Sequence, residues 1–99
     1  MVTWTKPARD DLKAIHDYIA LDSKFYAKNT VRNIVLRASK LSNVPEIGRI
    51  VPELNEPDIR EVFIYSYRVI YQIVADGLFI LAVVHGHRDL HGEDFPAKE

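Results

Sequence analysis

The stretch from Ile59 to Arg88 constrains the fold of this 99-residue chain more than any other part. Its β-branched and aromatic residues fall into apolar segments that are separated by short turn signals, as in consecutive β-strands. We predict three strands there: Ile59–Tyr65, Tyr67–Ala75 and Leu78–Val84. Ser66 marks the first turn, and Asp76-Gly77 is a strong signal for a two-residue hairpin. The last strand is apolar on both faces, so it should lie inside the sheet.

The residues before Ile59 predict a short strand followed by a helical hairpin. Val2–Thr5 alternates apolar and polar residues, and we expect this strand at an edge of the sheet. Apolar residues then recur at helical spacing over Pro7–Leu21, with Asp11 among the polar residues that face away from this stripe. A second amphipathic helix begins after Asp22 or Ser23 and should end near Ser42-Asn43, because Pro45 disfavours helical geometry before it.

Residues 45–58 carry three prolines and one glycine, which disfavour a regular strand, although Arg49–Val51 can pair briefly at a sheet edge. The predicted order is therefore β-α-α-β-β-β. This is an α+β fold with a mostly antiparallel sheet and an α-helical hairpin packed on one face. At 99 residues, positions 1–99 suit a single domain.

Composition narrows the function classes. The chain has no cysteine, which excludes disulfides, thiolate metal sites and cysteine nucleophiles. No signal-peptide core or membrane-spanning run is present, so we expect a cytoplasmic protein without a membrane partner. Residues 1–44 hold eight Lys/Arg and four Asp/Glu, whereas residues 45–99 hold five and ten. The chain thus lacks the global basic field of a typical nucleic-acid binder, and a local basic patch on the helices stays open.

Several segments, in this order and spacing, resemble the RelE/ParE superfamily of toxins from bacterial type II toxin–antitoxin modules. The segments are Trp4-Thr5-x-x-Ala8-x-x-Asp11-Leu12-x-x-Ile15-x-x-Tyr18-Ile19, Val51-Pro52-Glu53, Ile59-Arg60-Glu61-Val62, Tyr67-Arg68-Val69-Ile70-Tyr71 and His85-Gly86-His87-Arg88-Asp89-Leu90. Within the superfamily the chain is more similar to ParE-like members, which are also called plasmid stabilisation proteins. The resemblance implies a RelE/ParE-like fold, a cognate antitoxin as partner and no cofactor.

The resemblance leaves two cellular targets. ParE toxins poison DNA gyrase by binding it, whereas RelE-like relatives cut messenger RNA on the ribosome. RelE carries two lysines at the positions of Ile59 and Glu61, and a C-terminal tyrosine where this chain offers Phe95. These departures favour a gyrase inhibitor without a catalytic site. A ribosome-dependent endoribonuclease is the alternative, because other members of this class use Glu, Arg and His, and a non-toxic antitoxin-binding relative is a third reading.

Arg68 lies in the middle of a strand and admits two interpretations. Its guanidinium can clamp a phosphate or a partner carboxylate, or it can form a structural ion pair with Glu61 or Glu53. Glu61 can likewise act as a general base or as one half of a salt bridge. Arg60 should point to the opposite face from Glu61, since neighbours in a strand alternate.

The end of the last strand carries the remaining candidates. His85, His87 and Arg88 can bind a partner, or a histidine can act as general acid in RNA cleavage. A metal site with His91 lacks further ligands at motif spacing, so we predict no metal. If the chain is a nuclease, the candidate catalytic residues are Arg60, Glu61, Arg68, His87 and Arg88; the candidate partner-binding residues are Arg60, Arg68, His85, His87 and Arg88.

Aromatic and basic residues complete the candidate surfaces. Tyr65, Tyr67 and Tyr71 can cluster on one sheet face, where they would stack bases or pack the sheet. Basic residues also follow the second helix, which is the usual pattern of a solvated helix face: Lys24, Lys28, Arg32 and Arg37.

Overall fold

The computed structural model describes residues 1–86, which form one five-stranded sheet and two α-helices. The strands are β1 (Val2–Trp4), β2 (Arg49–Ile50), β3 (Ile59–Ile64), β4 (Tyr67–Val74) and β5 (Gly77–His85), and the helices are α1 (Lys6–Ala20) and α2 (Lys24–Ser39). The sheet order is β1-β5-β4-β3-β2; β1 is parallel to β5 and all other pairs are antiparallel. The predicted α+β fold is confirmed.

The helical hairpin packs on one face of the sheet and buries its apolar stripe there. Ala8 of α1 and Ile34 and Ala38 of α2 contact the side chains that β3, β4 and β5 present to this face. Burial of this apolar area is the main favourable term in folding. The opposite face has a smaller core, which the irregular segment after β2 covers with Val51 and Leu54.

Thr5 fixes the start of α1 and ties it to the sheet. Its Oγ1 accepts a hydrogen bond from the Ala8 amide at 3.3 Å, which caps the helix, and donates to the Ile80 carbonyl at 2.8 Å. The chain therefore leaves the edge strand β1 directly into α1. As expected, β1 lies at a sheet edge, and β5 lies between β1 and β4.

Both hairpins differ by one residue from the prediction. The turn between β3 and β4 is Tyr65-Ser66, because Tyr65 adopts a left-handed conformation with φ of 57° and leaves the strand. The turn between β4 and β5 is Ala75-Asp76, and Gly77 is already the first residue of β5. A Cβ on Gly77 would lie 2.2 Å from the Met1 carbonyl oxygen, so glycine is required by the close approach of the N-terminus.

The prediction that Asp11 faces away from the sheet is wrong, because its carboxylate contacts β5. β1 ends opposite Ile80, whereas β5 continues to His85, so the later β5 amides have no neighbouring strand on the β1 side among the described residues. The half-buried Asp11 carboxylate accepts a hydrogen bond from the Val83 amide at 2.9 Å. A carboxylate on α1 thereby takes the place of a strand.

Residues 45–58 are largely irregular, as predicted, but α2 ends at Ser39, earlier than the predicted end near Ser42-Asn43. Two short 3₁₀ turns follow α2, at Lys40–Asn43 and Pro45–Ile47, and lead into the two-residue strand β2. β2 pairs with β3 at the sheet edge, which confirms the brief pairing expected there. In the part of the chain described, neither helix is long and apolar enough to cross a bilayer.

Candidate functional site

Two buried charges lie on the sheet face that the helices leave uncovered. Glu61 of β3 is 1% exposed and Arg68 of β4 is 4% exposed. Strand alternation places them there, because Val62 and Val69 beside them point to the helices. Burying an unpaired charge is prohibitively unfavourable, so each of these groups requires a partner of opposite sign.

The partners form an alternating chain of acidic and basic groups. Arg68 donates from Nε to Oε1 of Glu61 at 2.6 Å, and its Nη1 and Nη2 donate to the two carboxylate oxygens of Glu53 at 2.8 and 2.9 Å. Arg49 of β2 donates from Nε to the second oxygen of Glu61. Two guanidinium groups thus balance two carboxylates. We call Arg49, Glu53, Glu61 and Arg68 the charge network.

The charge network stabilises the protonated state of Arg68. The hydrogen bonds that Arg68 donates to Glu53 raise the pKa of Arg68 above its usual value; burial opposes this rise, and the hydrogen bonds donated to Glu61 add to it. Within residues 1–86, every fully buried side-chain nitrogen or oxygen has a hydrogen-bond partner. Two carboxylates of the same chain, those of Glu53 and Glu61, accept hydrogen bonds from the Arg68 guanidinium. This is the structural ion pair that the sequence offered as one interpretation of Arg68, and it involves both of the partners named there.

Arg60 lies on the opposite face from the charge network. Its Nε donates to the Pro57 carbonyl at 3.1 Å and its Nη1 donates to the Gly48 carbonyl at 3.0 Å. Next to it, the buried Tyr71 hydroxyl donates to the Pro45 carbonyl at 2.6 Å and accepts from the Gly48 amide at 3.0 Å. Burial raises the pKa of Tyr71. Arg60 and Tyr71 therefore fasten the irregular segment to the sheet.

Among the described candidate catalytic residues, the structure brings Glu61 and Arg68 together but places Arg60 apart from them. Arg60 is separated from Glu61 and Arg68 by the sheet itself. His85, at the exposed end of β5, lies opposite Tyr67 with ring centroids 6.2 Å apart, on the helix side of the sheet. His87 and Arg88, together with His91 and Phe95, lie outside the described residues. Among residues 1–86, no three His, Asp or Glu side chains converge to hold a metal.

The three tyrosines do not form one stacking surface. Tyr67 and Tyr71 point towards the helices and belong to the core. Tyr65 lies in the turn, and its hydroxyl accepts a hydrogen bond from the Asn33 side chain at 2.7 Å. The interpretation as sheet packing therefore describes Tyr67 and Tyr71. The four basic residues proposed as a solvated face of α2 are all exposed.

Arg49 is the site residue that sequence reasoning did not single out. Its role depends on the register of β2, which places Arg49 opposite Glu61. The available signal was the expectation that Arg49–Val51 pairs at an edge, because the register that sets Arg49 opposite Glu61 brings its guanidinium to a carboxylate. The Arg49 guanidinium also lies 5.8 Å from the Phe63 ring centroid.

Comparisons with known proteins agree with this architecture. Residues 2–90 match the family model described as ParE toxin of type II toxin-antitoxin system, parDE. Toxin RelE2 of Caulobacter vibrioides is 35% identical over 88 residues, which cover 88% of this chain and 96% of the relative. A solved structure described as the chromosomal ParDE TA system from P. aeruginosa superposes with a TM-score of 0.71 at 25% identity, covering 85% of this chain and 92% of that one. The chain therefore belongs to the ParE toxin family of type II toxin–antitoxin systems.

Proposed function

We propose that this toxin acts in the cytoplasm by binding DNA gyrase and inhibiting it, and that its cognate antitoxin neutralises it. The observation that carries the proposal is the state of Glu61 and Arg68. Both side chains are buried, and each is held by oppositely charged groups of the same chain. This state supports a structural role for both residues and a toxin that acts through its surface.

Catalysis of RNA cleavage would make different demands on these residues. A general base has to reach the proton that it removes, directly or through one water molecule. Glu61 is 1% exposed, and Arg68 and Arg49 each hold one of its oxygens. A phosphate clamp needs free guanidinium donors, yet Glu53 and Glu61 already engage those of Arg68. This arrangement favours a toxin that works by binding.

The surface carries features suited to protein partners. Around the connection between α1 and α2, large apolar side chains are exposed: Tyr18 at 75%, Leu21 at 82%, Phe25 at 71% and Tyr26 at 66%. The rings of Phe25 and Tyr26 lie edge to face with centroids 6.0 Å apart. Aromatic groups exposed in a cluster are typical of protein interaction sites, where they supply most of the buried apolar area.

The second candidate function is a ribosome-dependent endoribonuclease. It is favoured by the name of the Caulobacter relative, Toxin RelE2. It would require Arg60, His87 and Arg88 to act without Glu61 and Arg68, or the charge network to open on the ribosome. A non-toxic relative that only binds an antitoxin is the third possibility, and harmless induction of the free protein would favour it.

Purified toxin distinguishes these functions. We expect inhibition of gyrase supercoiling that saturates as the toxin approaches the concentration of gyrase, because a binding inhibitor acts stoichiometrically. Ribosome-bound mRNA should stay intact in parallel reactions. The toxin–antitoxin complex is the matched control and should leave supercoiling unaffected. Codon-specific cleavage of mRNA by catalytic amounts of toxin, with normal supercoiling, would overturn the proposal.

A further inference from the structure

The two helices differ in how their charges are arranged. α1 carries three basic and three acidic residues, whereas α2 carries four basic residues and no acidic one. Between Asp22 and Glu46 the chain holds five Lys/Arg and no Asp or Glu. A surface that serves only solubility usually intersperses both signs, as α1 does. The single sign on α2 is typical of a surface that attracts a negatively charged molecule.

The lysines of α1 are paired within their own helix. Lys6 donates to Asp10 at 2.8 Å, and Lys13 donates to Asp17 at 2.7 Å. Both pairs use the i,i+4 spacing that brings side chains together on a helix surface. Each lysine of α1 therefore already has a carboxylate beside it.

Three basic residues of α2 form a row without such partners. Lys24, Lys28 and Arg32 follow one another at i,i+4 spacing, so they lie on one side of the helix. All three are exposed, and none of them forms an ion pair in the part of the chain that the structure describes. We call these three residues the basic ridge.

The helix itself does not explain the basic ridge. Like charges at i,i+4 spacing repel one another. Lys24 is also the first residue of α2, where the helix dipole disfavours a cation. Arg37, by contrast, lies in the last turn, where the dipole favours a cation, and it lines a pocket beside β3 together with Lys40. The position of Arg37 thus has a reason within the fold, whereas that of the basic ridge has none.

The basic ridge has the length of a surface that follows phosphates. Arg32 lies eight positions after Lys24, which corresponds to about 12 Å along an α-helix. Duplex DNA carries one phosphate per about 1.7 Å of its axis, so each cation of the ridge meets a phosphate within this distance. The exposed rings of Phe25 and Tyr26 adjoin the start of the ridge. A protein bound to these rings would therefore hold its DNA close to the ridge.

We propose that the basic ridge of α2 binds the phosphate backbone of duplex DNA, namely the DNA that gyrase holds while the toxin is bound to it. Lys24, Lys28 and Arg32 each contact one phosphate. Phosphate contacts carry no sequence information, so the ridge does not select a base sequence. The choice of DNA rests on the proposed function, because gyrase acts on duplex DNA, but binding of DNA by the ridge is tested without gyrase.

The salt dependence of DNA binding tests the basic ridge. Toxin is titrated into a short labelled DNA duplex, and fluorescence anisotropy is measured at several salt concentrations. Three phosphate contacts predict that log K falls with log[salt] with a slope of about −2.7. Lys28→Gln combined with Arg32→Gln removes two contacts and should leave a slope of about −0.9.

The matched control for this variant is Arg37→Gln combined with Lys40→Gln, which removes the same charge from α2 and the turn after it but outside the basic ridge. Its slope should equal that of the wild type. Equal slopes for the ridge variant and the control would overturn the proposal, as would a wild type that does not bind the duplex at low salt. Tighter binding of an RNA duplex of the same length would overturn the choice of DNA.

Two further measurements separate DNA from a protein partner of the ridge. The ridge variant should need at least about fivefold more toxin than the wild type for half-inhibition of supercoiling, while its affinity for gyrase without DNA stays within about twofold. A ridge variant that keeps the wild-type slope with DNA but binds the antitoxin or DNA-free gyrase more weakly would assign the ridge to an acidic protein surface and overturn the proposal. If the wild type gives the expected slopes but does not inhibit gyrase, the proposed function fails and DNA binding by the ridge stands.

Discussion

Arg68 donates from Nε to Glu61 at 2.6 Å, across a sheet face where both side chains are almost fully buried. This pair joins β4 to β3, and Arg49 and Glu53 extend it to β2 and to the irregular segment. The effect of such a network on the free energy of unfolding is largest when one of its members is removed. A buried charge left without its partner costs far more than the intact pair contributes.

Arg68→Ala should lower the free energy of unfolding by about 3–5 kcal/mol, because it leaves Glu61 buried with one partner fewer and releases both oxygens of Glu53. Urea denaturation followed by circular dichroism measures this change. Arg32→Ala is the matched control: Arg32 is exposed on α2, so its loss should stay within about 0.5 kcal/mol. A variant at Arg68 that folds as stably as the wild type but is no longer toxic would assign Arg68 to target recognition.

Asp11→Ala should destabilise the protein by about 1.5–3 kcal/mol, because the Val83 amide loses a charged acceptor in a half-buried place. Its neighbour Asp10 pairs with Lys6 on the exposed side of the same helix. Asp10→Ala should therefore cost less than about 0.5 kcal/mol. The comparison is made by urea denaturation, with exchange of the Val83 amide as a local probe. Equal effects of the two substitutions would show that the contact between α1 and β5 adds no stability.

Local patterns in the sequence were sufficient to predict the sheet and the helical hairpin. Alternation and helical spacing report which side chains are buried within one element, and each pattern needs only a few consecutive residues. The prediction missed one residue of the turn between β3 and β4, because Tyr65 adopts a positive φ and a tyrosine does not indicate that conformation. The role of Asp11 was not predicted because it depends on β1 ending before β5 does. The contact joins Asp11 to Val83, two residues 72 positions apart.

The candidate site was predictable in part for the same reason. Glu53 and Glu61 were named as ion-pair partners of Arg68, and the structure shows both contacts. Arg49 was not, because the register of the two-residue strand β2 cannot be read from its sequence. The functional roles of Arg60, Arg68 and His85 stay predictions, as do those of His87 and Arg88, which lie outside the described residues.

Tyr71→Phe should reduce stability by about 1–3 kcal/mol at neutral pH, because the Gly48 amide and the Pro45 carbonyl lose their shared partner. The ionisation of Tyr71 should also make the stability of the protein depend on pH. Burial raises the pKa of Tyr71 above 10.0, so the folded protein holds this proton more tightly than the unfolded chain does. Tyr71 therefore contributes its full stabilisation at pH values below the pKa of the unfolded chain, and this stabilisation is lost as the pH rises through the higher pKa of the folded protein.

The measurement for Tyr71 is urea denaturation between neutral and strongly alkaline pH. The wild type should lose stability above about pH 10, and the decline should be shallower in Tyr71→Phe, which lacks the ionising group. Tyr18→Phe is the matched control, because Tyr18 is 75% exposed and its substitution leaves the buried hydroxyl of Tyr71 in place. Parallel pH profiles for the wild type and Tyr71→Phe would contradict the assignment.

Arg60→Ala separates a binding toxin from a nuclease. Arg60 holds the Gly48 and Pro57 carbonyls, so we expect a loss of about 1–3 kcal/mol in stability. Because these carbonyls of the same chain engage the Arg60 guanidinium, the folded variant should inhibit gyrase supercoiling within about threefold of the wild type. Arg60→Lys keeps the charge but not the guanidinium fork, and it should behave in the same way. A larger loss of inhibition in the folded variant would support the partner-binding role predicted for Arg60 from the sequence. Cleavage of ribosome-bound mRNA by the wild type that disappears in Arg60→Ala, at temperatures where both proteins are folded, would instead make Arg60 part of a catalytic site.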